Sequence, residues 1–428
     1  MSASTRERVG GLVFAAAAIL LITMGARQTL GLFVAPLNRS TGAGIVAISF
    51  AMAVGQFVWG LAQPIFGAIA ERYGSRIVLL VGAVTLALGA MVTTVVSTSL
   101  GLILSIGVLF AAGAAGGSFS VLIGATARRL PPEQRAFASG VINAGGSLGQ
   151  FLLAPISQLI IVAFGWVTAM YALAVAALAT IPLARQLTRV SDRPAAPTIQ
   201  DTVAVAAGES VPTLRQQLRE ASRDRSYWCL HAGFFTCGFH IAFLVTHLPG
   251  EVNLCALPAS VAAGSLAIIG LSNVAGSLTI GWLGGVFRMK YLLFYLYLSR
   301  AVAIGVYLLM PRTALTFYVF AAVLGFTWLS TVPPTAGLVG KLFGVRYLAT
   351  LFGLTLLSHQ IGGFFGAWLG GIALVHFGDY GWMWYADMTL ALAAAFINLP
   401  IRESYVVLNS PMPLSAAASR TASPANTG

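Results

Sequence analysis

The sequence predicts an all-α membrane protein of twelve transmembrane helices, arranged as two six-helix pseudo-repeats. Three observations carry that expectation. The composition is overwhelmingly apolar, twelve separate apolar runs are long enough to span a bilayer, and the second half of the chain repeats features of the first.

Of 428 residues, 58% are hydrophobic and only 8% are charged, with a mean hydropathy of +0.86. Soluble domains carry about 25% charged residues. This chain cannot cover a water-facing surface with so few charges, so most of its surface faces lipid. The 47 glycines suit helix packing in lipid, where small residues let backbones approach. The three cysteines (Cys229, Cys237 and Cys255) have no disulfide or zinc spacing. Arg6 and Arg8 precede an apolar stretch running past Gly25, which is too long for a signal-peptide core.

A spanning helix needs about 20 apolar residues. The qualifying segments are 11–37, 45–70, 77–97, 101–127, 136–163, 166–185, 227–249, 258–284, 290–311, 314–340, 348–376 and 381–401. Between the sixth and seventh lies a polar stretch, 186–226, rich in Arg, Asp, Ser and Pro, with a surface helix expected around Thr213–Asp224. The chain therefore divides into a six-helix half at 1–185, a cytoplasmic linker at 186–226, and a second half at 227–428 that ends in a polar tail.

The net charge of +12 would suit nucleic acid, but its distribution argues otherwise. With the N-terminus cytoplasmic, all but Arg27, Arg39, Arg300 and Arg312 of the 24 lysines and arginines fall in cytoplasmic loops or tails. That is the positive-inside rule. The basic charge sets topology: an integral, multi-pass protein with both termini cytoplasmic, in the cell (inner) membrane if bacterial. Lipid is the expected surroundings, and no nucleic-acid partner is expected.

The repeat is readable in the loops. Gly67-Ala-Ile-Ala-Glu71-Arg72-Tyr-Gly74-Ser-Arg76 follows the second segment, and Gly281-Trp-Leu-Gly-Gly285-Val-Phe-Arg288-Met-Lys290 follows the eighth, 214 residues later. Arg135 and Arg346 open the fifth and eleventh segments at a similar offset. Two such halves joined by a linker is transporter architecture. Gly67 permits close helix packing and Gly74 a tight turn. Glu71, with Arg72, Arg76, Arg128, Arg129 or Arg135, can form a cytoplasmic charge latch. The alternative is a topology-setting turn with solvated charges. In the second half the acidic position is Gly285, which weakens any equivalent latch.

The first of these loops resembles the signature of the major facilitator superfamily: Gly, three residues, Asp or Glu, Arg, any, Gly, any, Arg or Lys. Every constrained position matches, between the second and third helices, and helix count, linker and half-repeat extend the resemblance over the whole chain. It implies the major facilitator fold and transport by alternating access. Gly25-Ala-Arg27-Gln28-Thr-Leu-Gly31-Leu-Phe33, and the stretch from Thr327-Trp328 through Pro333-Pro334 to Ser358-His359-Gln360, resemble the monocarboxylate/oxalate-formate porter group. Mammalian-type monocarboxylate carriers place an Asp and an Arg four residues apart in helix 8. Asn273 and Ser277 stand there instead, which puts the usual proton route and anion contact in doubt.

A charge inside the bilayer costs at least ~2.5–3.5 kcal/mol on insertion scales, so a persistent one has a partner or a function. Arg27 lies a little outward of mid-bilayer, on a face with Thr23 and Gly31; Arg39 already marks the outer interface, which argues against mere snorkelling. His240 is central in the seventh segment. His359 lies in the eleventh, where the resemblance implies a basic residue. Gln28 and Asn273 complete the candidate substrate set, with Gln56, Gln63, Asn143 and Gln150 as further cavity polars. Arg300 reads as a structural ion pair or a cap on carbonyls. The acidic residues fall in loops, ends or tails, apart from Asp387 near the outer end of the last segment, so no carboxylate is expected at mid-membrane.

A carrier of organic cations needs a buried counter-charge, because desolvating an unpaired cation is prohibitive. A cavity with Arg27, His240 and His359 favours anions. The expectation is a secondary transporter of small organic anions, monocarboxylates first, with Arg27 pairing the carboxylate and His359 or His240 helping. Proton coupling is left open; it would use a histidine, which titrates near physiological pH, or protonation of the substrate. Drug efflux on the same fold is the alternative, although Leu153-Ala154 stand where the helix 5 antiporter signature has Gly-Pro. No nucleophile constellation, metal cluster or phosphate loop appears, so neither an enzyme nor a cofactor is expected.

Overall fold

Long apolar segments must satisfy every backbone group internally in lipid, and helices do so. The computed structural model describes residues 3–189 and 212–403, and the chain there is helical throughout. The first half comprises α1 (Ala3–Gln28), α2 (Val34–Thr41), α3 (Ile45–Tyr73), α4 (Ser75–Thr93), α5 (Ser99–Leu102), α6 (Ala111–Gly116), α7 (Phe119–Ala127), α8 (Pro132–Leu178) and α9 (Thr180–Arg189). A π-helical stretch, Ile103–Phe110, joins α5 to α6. The second half comprises α10 (Leu214–Ala221), α11 (Arg225–Leu254), α12 (Ala259–Leu283), α13 (Met289–Leu309), α14 (Ala314–Thr327), α15 (Val332–Phe343), α16 (Leu348–Phe377) and α17 (Gly381–Asn398).

Among the described residues, ten segments are long and apolar enough to cross a membrane. The two further expected spans are helical too. Segment 136–163 forms the first part of α8 and carries Ser139, Asn143, Ser147 and Gln150; α17 carries Asp387 and Asn398. The fifth and sixth expected spans meet inside α8 at Gly165, whose φ of 84° and ψ of 163° only glycine adopts readily. The surface helix expected in the linker is α10, started by a capping box between Thr213 and Gln216. Linker residues 190–211 and the tail from 404 lie outside the described residues.

The fourth span of each half is interrupted at matching places. Gly117-Ser118 separates α6 from α7, and Trp328–Thr331 separate α14 from α15. Each break leaves helix-end carbonyls to be satisfied from elsewhere. Thr23 Oγ1 donates to the Gly117 carbonyl at 2.8 Å. Cys237, 214 residues after Thr23, places its Sγ 3.7 Å from the Trp328 carbonyl. The repeat is thus carried in the packing as well as in the loops.

The halves meet where helices without side-chain bulk face each other. Gly67 in α3 packs on the Ala349–Thr350 backbone of α16, leaving no room for a Cβ. Gly140 in α8 packs in the same way on Ser277 and Gly281 of α12. Both contacts lie toward the end of the bundle that carries Glu71.

Candidate functional site

Arg27 lies in the last turn of α1, and its guanidinium turns toward α3. Its Nη1 donates to Gln56 Oε1 at 2.6 Å, and its charge sits 4.2 Å from the centre of the Trp59 ring. Gln56 and Trp59 share a helix face by their three-residue spacing. Gly60, next on α3, packs against Gln360 of α16, and Gln360 Nε2 donates to His359 Nδ1 at 3.1 Å. With Nδ1 accepting, a neutral His359 carries its proton on Nε2. That atom is buried without a partner, as are Arg27 Nε and Gln63 Nε2. Arg27 and His359 lie within electrostatic reach of each other, and among the described residues no carboxylate pairs with Arg27. Arg27 Nε and His359 Nε2 thus leave the site with donors that lack acceptors.

His240 lies elsewhere, deep in the second half. Its Nδ1 is 2.5 Å from Asp387 Oδ2, with both side chains fully buried, and its ring meets Trp328 edge-on. Asp387, expected near the outer end of the last segment, is thus paired in the interior of the second half. Asp387 is only the seventh residue of α17, but depth counted along one helix does not transfer to another that enters at a different level. Arg300, also fully buried, caps carbonyls as one of its two expected roles: Nη2 donates to Thr327 and Trp328 at 2.8 and 3.0 Å. Those are the carbonyls freed by the break after α14.

Glu71 does not pair with the arginines of its own loop. Arg72 and Arg76 are exposed, with Arg72 stacked on Tyr73. The Glu71 carboxylate instead accepts the Thr350 backbone N–H at 3.1 Å and the Thr350 hydroxyl. Thr350 is the third residue of α16, where backbone donors have no intrahelical acceptor and the helix dipole favours negative charge. Arg128 adds attraction from α7's end, while Arg129 and Arg135 bond the Leu187 and Leu130 carbonyls. Gly67 and Gly74 play the expected packing and turn roles, Gly74 with φ 93°. In the second half, where Gly285 lacks an acid, Glu403 supplies one. It accepts the Met289 N–H at 3.0 Å and Lys341 Nζ at 2.6 Å.

Comparison with known proteins decides the family. The model of the Major Facilitator Superfamily matches residues 16–367, most of the chain. The chain belongs to that superfamily.

Among relatives, monocarboxylate transporter 13 of Rattus norvegicus is 24% identical over 399 residues, 92% of this chain and 89% of that protein. The oxalate:formate antiporter of Oxalobacter formigenes is 24% identical over 392 residues, 89% of this chain and 88% of that one. Among solved structures, the proton:xylose symporter XylE bound to 6-bromo-6-deoxy-D-glucose superposes with a TM-score of 0.72 at 14% identity, covering 93% of this chain and 97% of that chain. The protein is a multi-pass integral membrane transporter with the major facilitator fold.

Within that superfamily fold, the candidate substrate residues do not converge on one spot. Arg27 and His359 come together across the halves; His240 belongs to the Asp387 and Arg300 cluster. Gln28, the last residue of α1, is half-buried and makes no side-chain hydrogen bond among the described residues. Asn273 is occupied by one contact across the halves and one within its own half. Its Nδ2 donates to Ser147 at 2.5 Å and its Oδ1 accepts the Leu329 N–H at 3.0 Å. Asn143 answers from α8, donating to Ser277 at 2.7 Å and to the Leu329 carbonyl at 2.8 Å. The signal was present in the sequence as Asn-x-x-x-Ser in both α8 and α12. The missed partners of Glu71, Thr350 and its backbone, left no such mark.

Proposed function

We propose that the protein carries small organic anions of the monocarboxylate type by alternating access, with Arg27 holding the carboxylate and His359 and Gln63 offering further donors. The observation that carries this reading is the Arg27 cluster. A buried donor without an acceptor costs roughly 1–3 kcal/mol; Arg27 Nε and His359 Nε2 are two such donors within electrostatic reach, and Gln63 Nε2 is another, one turn along α3 from Trp59. A carboxylate brings acceptor oxygens and the missing negative charge, and a guanidinium binds it through a planar fork. The named monocarboxylate and oxalate:formate relatives support the same substrate class. With the Glu71 end cytoplasmic, as the charge distribution favours, the halves are clasped on the cytoplasmic side, and Glu71 on Thr350 is the latch that opening would break.

The test is uptake of labelled lactate, pyruvate, formate and oxalate into proteoliposomes, with and without a pH gradient. Carboxylate uptake that collapses in Arg27→Ala supports the assignment. Uptake unchanged by that substitution sinks the anion site, and faster movement of lipophilic cations than of any carboxylate moves the reading to efflux.

A further inference from the structure

We infer that His240, Asp387 and Arg300 form a proton-binding site whose occupancy is linked to carboxylate binding at Arg27; the inference rests on the anion reading above.

All three side chains are fully buried and come from three helices, α11, α17 and α13. A purely structural ion pair is retained when its polar atoms are satisfied, since burying charge costs several kcal/mol per ion. Here His240 Nε2, Asp387 Oδ1, Arg300 Nε and Arg300 Nη1 are all buried without partners. The cluster is polar and incompletely bonded among the described residues, which is costly unless the atoms are used.

In the proposed site Asp387 is ionised and pairs with His240 Nδ1 at 2.5 Å. A carboxylate only accepts, so His240 Nδ1–H donates to Asp387 Oδ2 and the Nε2 lone pair is free. Asp387 and Arg300 cancel in charge, leaving the cluster neutral. A proton from solvent adds to Nε2, no bond breaks, the Nδ1–H contact to Asp387 is kept, and the cluster becomes singly positive. His240 senses Arg300 and Asp387 directly. Of the other polar groups nearby, the Tyr297 hydroxyl donates to the Gly233 carbonyl and Cys237 contacts Trp328 and Thr331, while Trp384 Nε1, about one turn from Asp387, also lacks a partner.

A second positive charge beside Arg300 in a low-dielectric interior is strongly unfavourable on its own. His359 in α16 lies in the field of both Arg300 and Arg27, so an anion at Arg27 enters that same field and offsets the added charge. Proton and carboxylate then raise each other's affinity by the same factor. The cluster is also placed to matter for reorientation. Arg300 holds Thr327 and Trp328, and the next residue, Leu329, is the one gripped by Asn143 and Asn273 between the halves.

The test uses the purified full-length protein in weakly buffered detergent. Lactate binding and lactate-induced proton uptake are measured together, by calorimetry and a pH electrode. The wild type should take up about one proton per lactate bound, and its lactate affinity should weaken by up to about tenfold per pH unit as pH rises. His240→Gln should bind lactate with no proton uptake and a flat pH profile, and Asp387→Asn should do the same. Retained lactate binding and a sharp size-exclusion peak certify folding; if Asp387→Asn does not fold, His240→Gln decides. Wild-type lactate binding without proton uptake, or full uptake in His240→Gln, overturns this inference alone. Absence of binding of any of the four carboxylates to the wild type overturns the transport reading and this inference with it.

Discussion

Asn143 and Asn273, on helices from opposite halves, hold the two polar groups of one residue: Asn143 donates to the Leu329 carbonyl and Asn273 accepts the Leu329 N–H. Each asparagine also reaches the serine one turn along from the other, so the two helices are stitched reciprocally. Asn143→Ala removes two buried bonds and orphans the Leu329 carbonyl. Each orphaned buried group costs roughly 1–3 kcal/mol, and the loss falls on the closed arrangement. We expect the distance between spin labels placed on α3 and α16 near Glu71 to broaden toward longer values. An unchanged distance distribution would show that this stitching does not hold the halves together.

Glu71 on the first turn of α16 is a cap built between halves. Glu71→Gln keeps an acceptor for one Thr350 bond but loses the charge that the helix dipole and Arg128 favour. A carboxylate at a helix start contributes about 0.3–2 kcal/mol, so the closed state should lose several-fold in population. A cysteine introduced at Ala349 should be alkylated faster in Glu71→Gln than in the parent, and faster still in Glu71→Ala. Arg76→Ala, by contrast, should leave the labelling rate near the parent value, since Arg76 is exposed and away from the cap.

Arg27 is held by a hydrogen bond and a ring face, and both orient its fork. Arg27→Lys keeps the charge but loses the planar geometry, and lysine does not replace arginine at a bidentate site. Carboxylate affinity should fall about tenfold in Arg27→Lys and by about a hundredfold in Arg27→Ala, taking a charge-assisted bond as roughly 1.5–3 kcal/mol. Trp59→Leu removes the stacking, worth about 0.5–2 kcal/mol, and should weaken binding less than Arg27→Ala. Equilibrium binding of labelled lactate at fixed pH checks the order; an inverted order contradicts the proposed geometry.

Arg300 serves the broken helix whatever its part in proton binding. Arg300→Met leaves the Thr327 and Trp328 carbonyls without their donor and removes the positive charge near the His240–Asp387 pair. Removing one partner of a buried charge cluster costs about 3–5 kcal/mol, so the unfolding temperature in detergent should drop sharply. Arg300→Lys, which can reach one carbonyl, should fall between. A variant as stable as the parent would mean that the carbonyls find other donors.

Hydropathy placed nearly every helix, and loop glycines and charges placed the family signature, because insertion into lipid is decided locally by about 20 consecutive residues at a time. Arg27 and His359 were legible as intramembrane polar residues for the same reason: such a group in an apolar run stands out without any knowledge of its neighbours. Partners were not legible. Whether Glu71 met an arginine of its own loop or a backbone N–H 279 residues away depended on how the halves dock. Asp387 looked superficial by its position in α17, and the relative level of α11 brought it against His240. Glu403 stood in for the acid missing at Gly285 because the end of the chain returns to the start of α13. Rotation and depth of each helix are set by packing against neighbours distant in sequence, and small residues such as Gly67 and Gly140 fix that packing only once the facing backbone is present. The sequence by itself determined a twelve-span expectation, an expected orientation and the intramembrane positions of Arg27 and Arg300; only the tertiary structure decided which partners each of them meets.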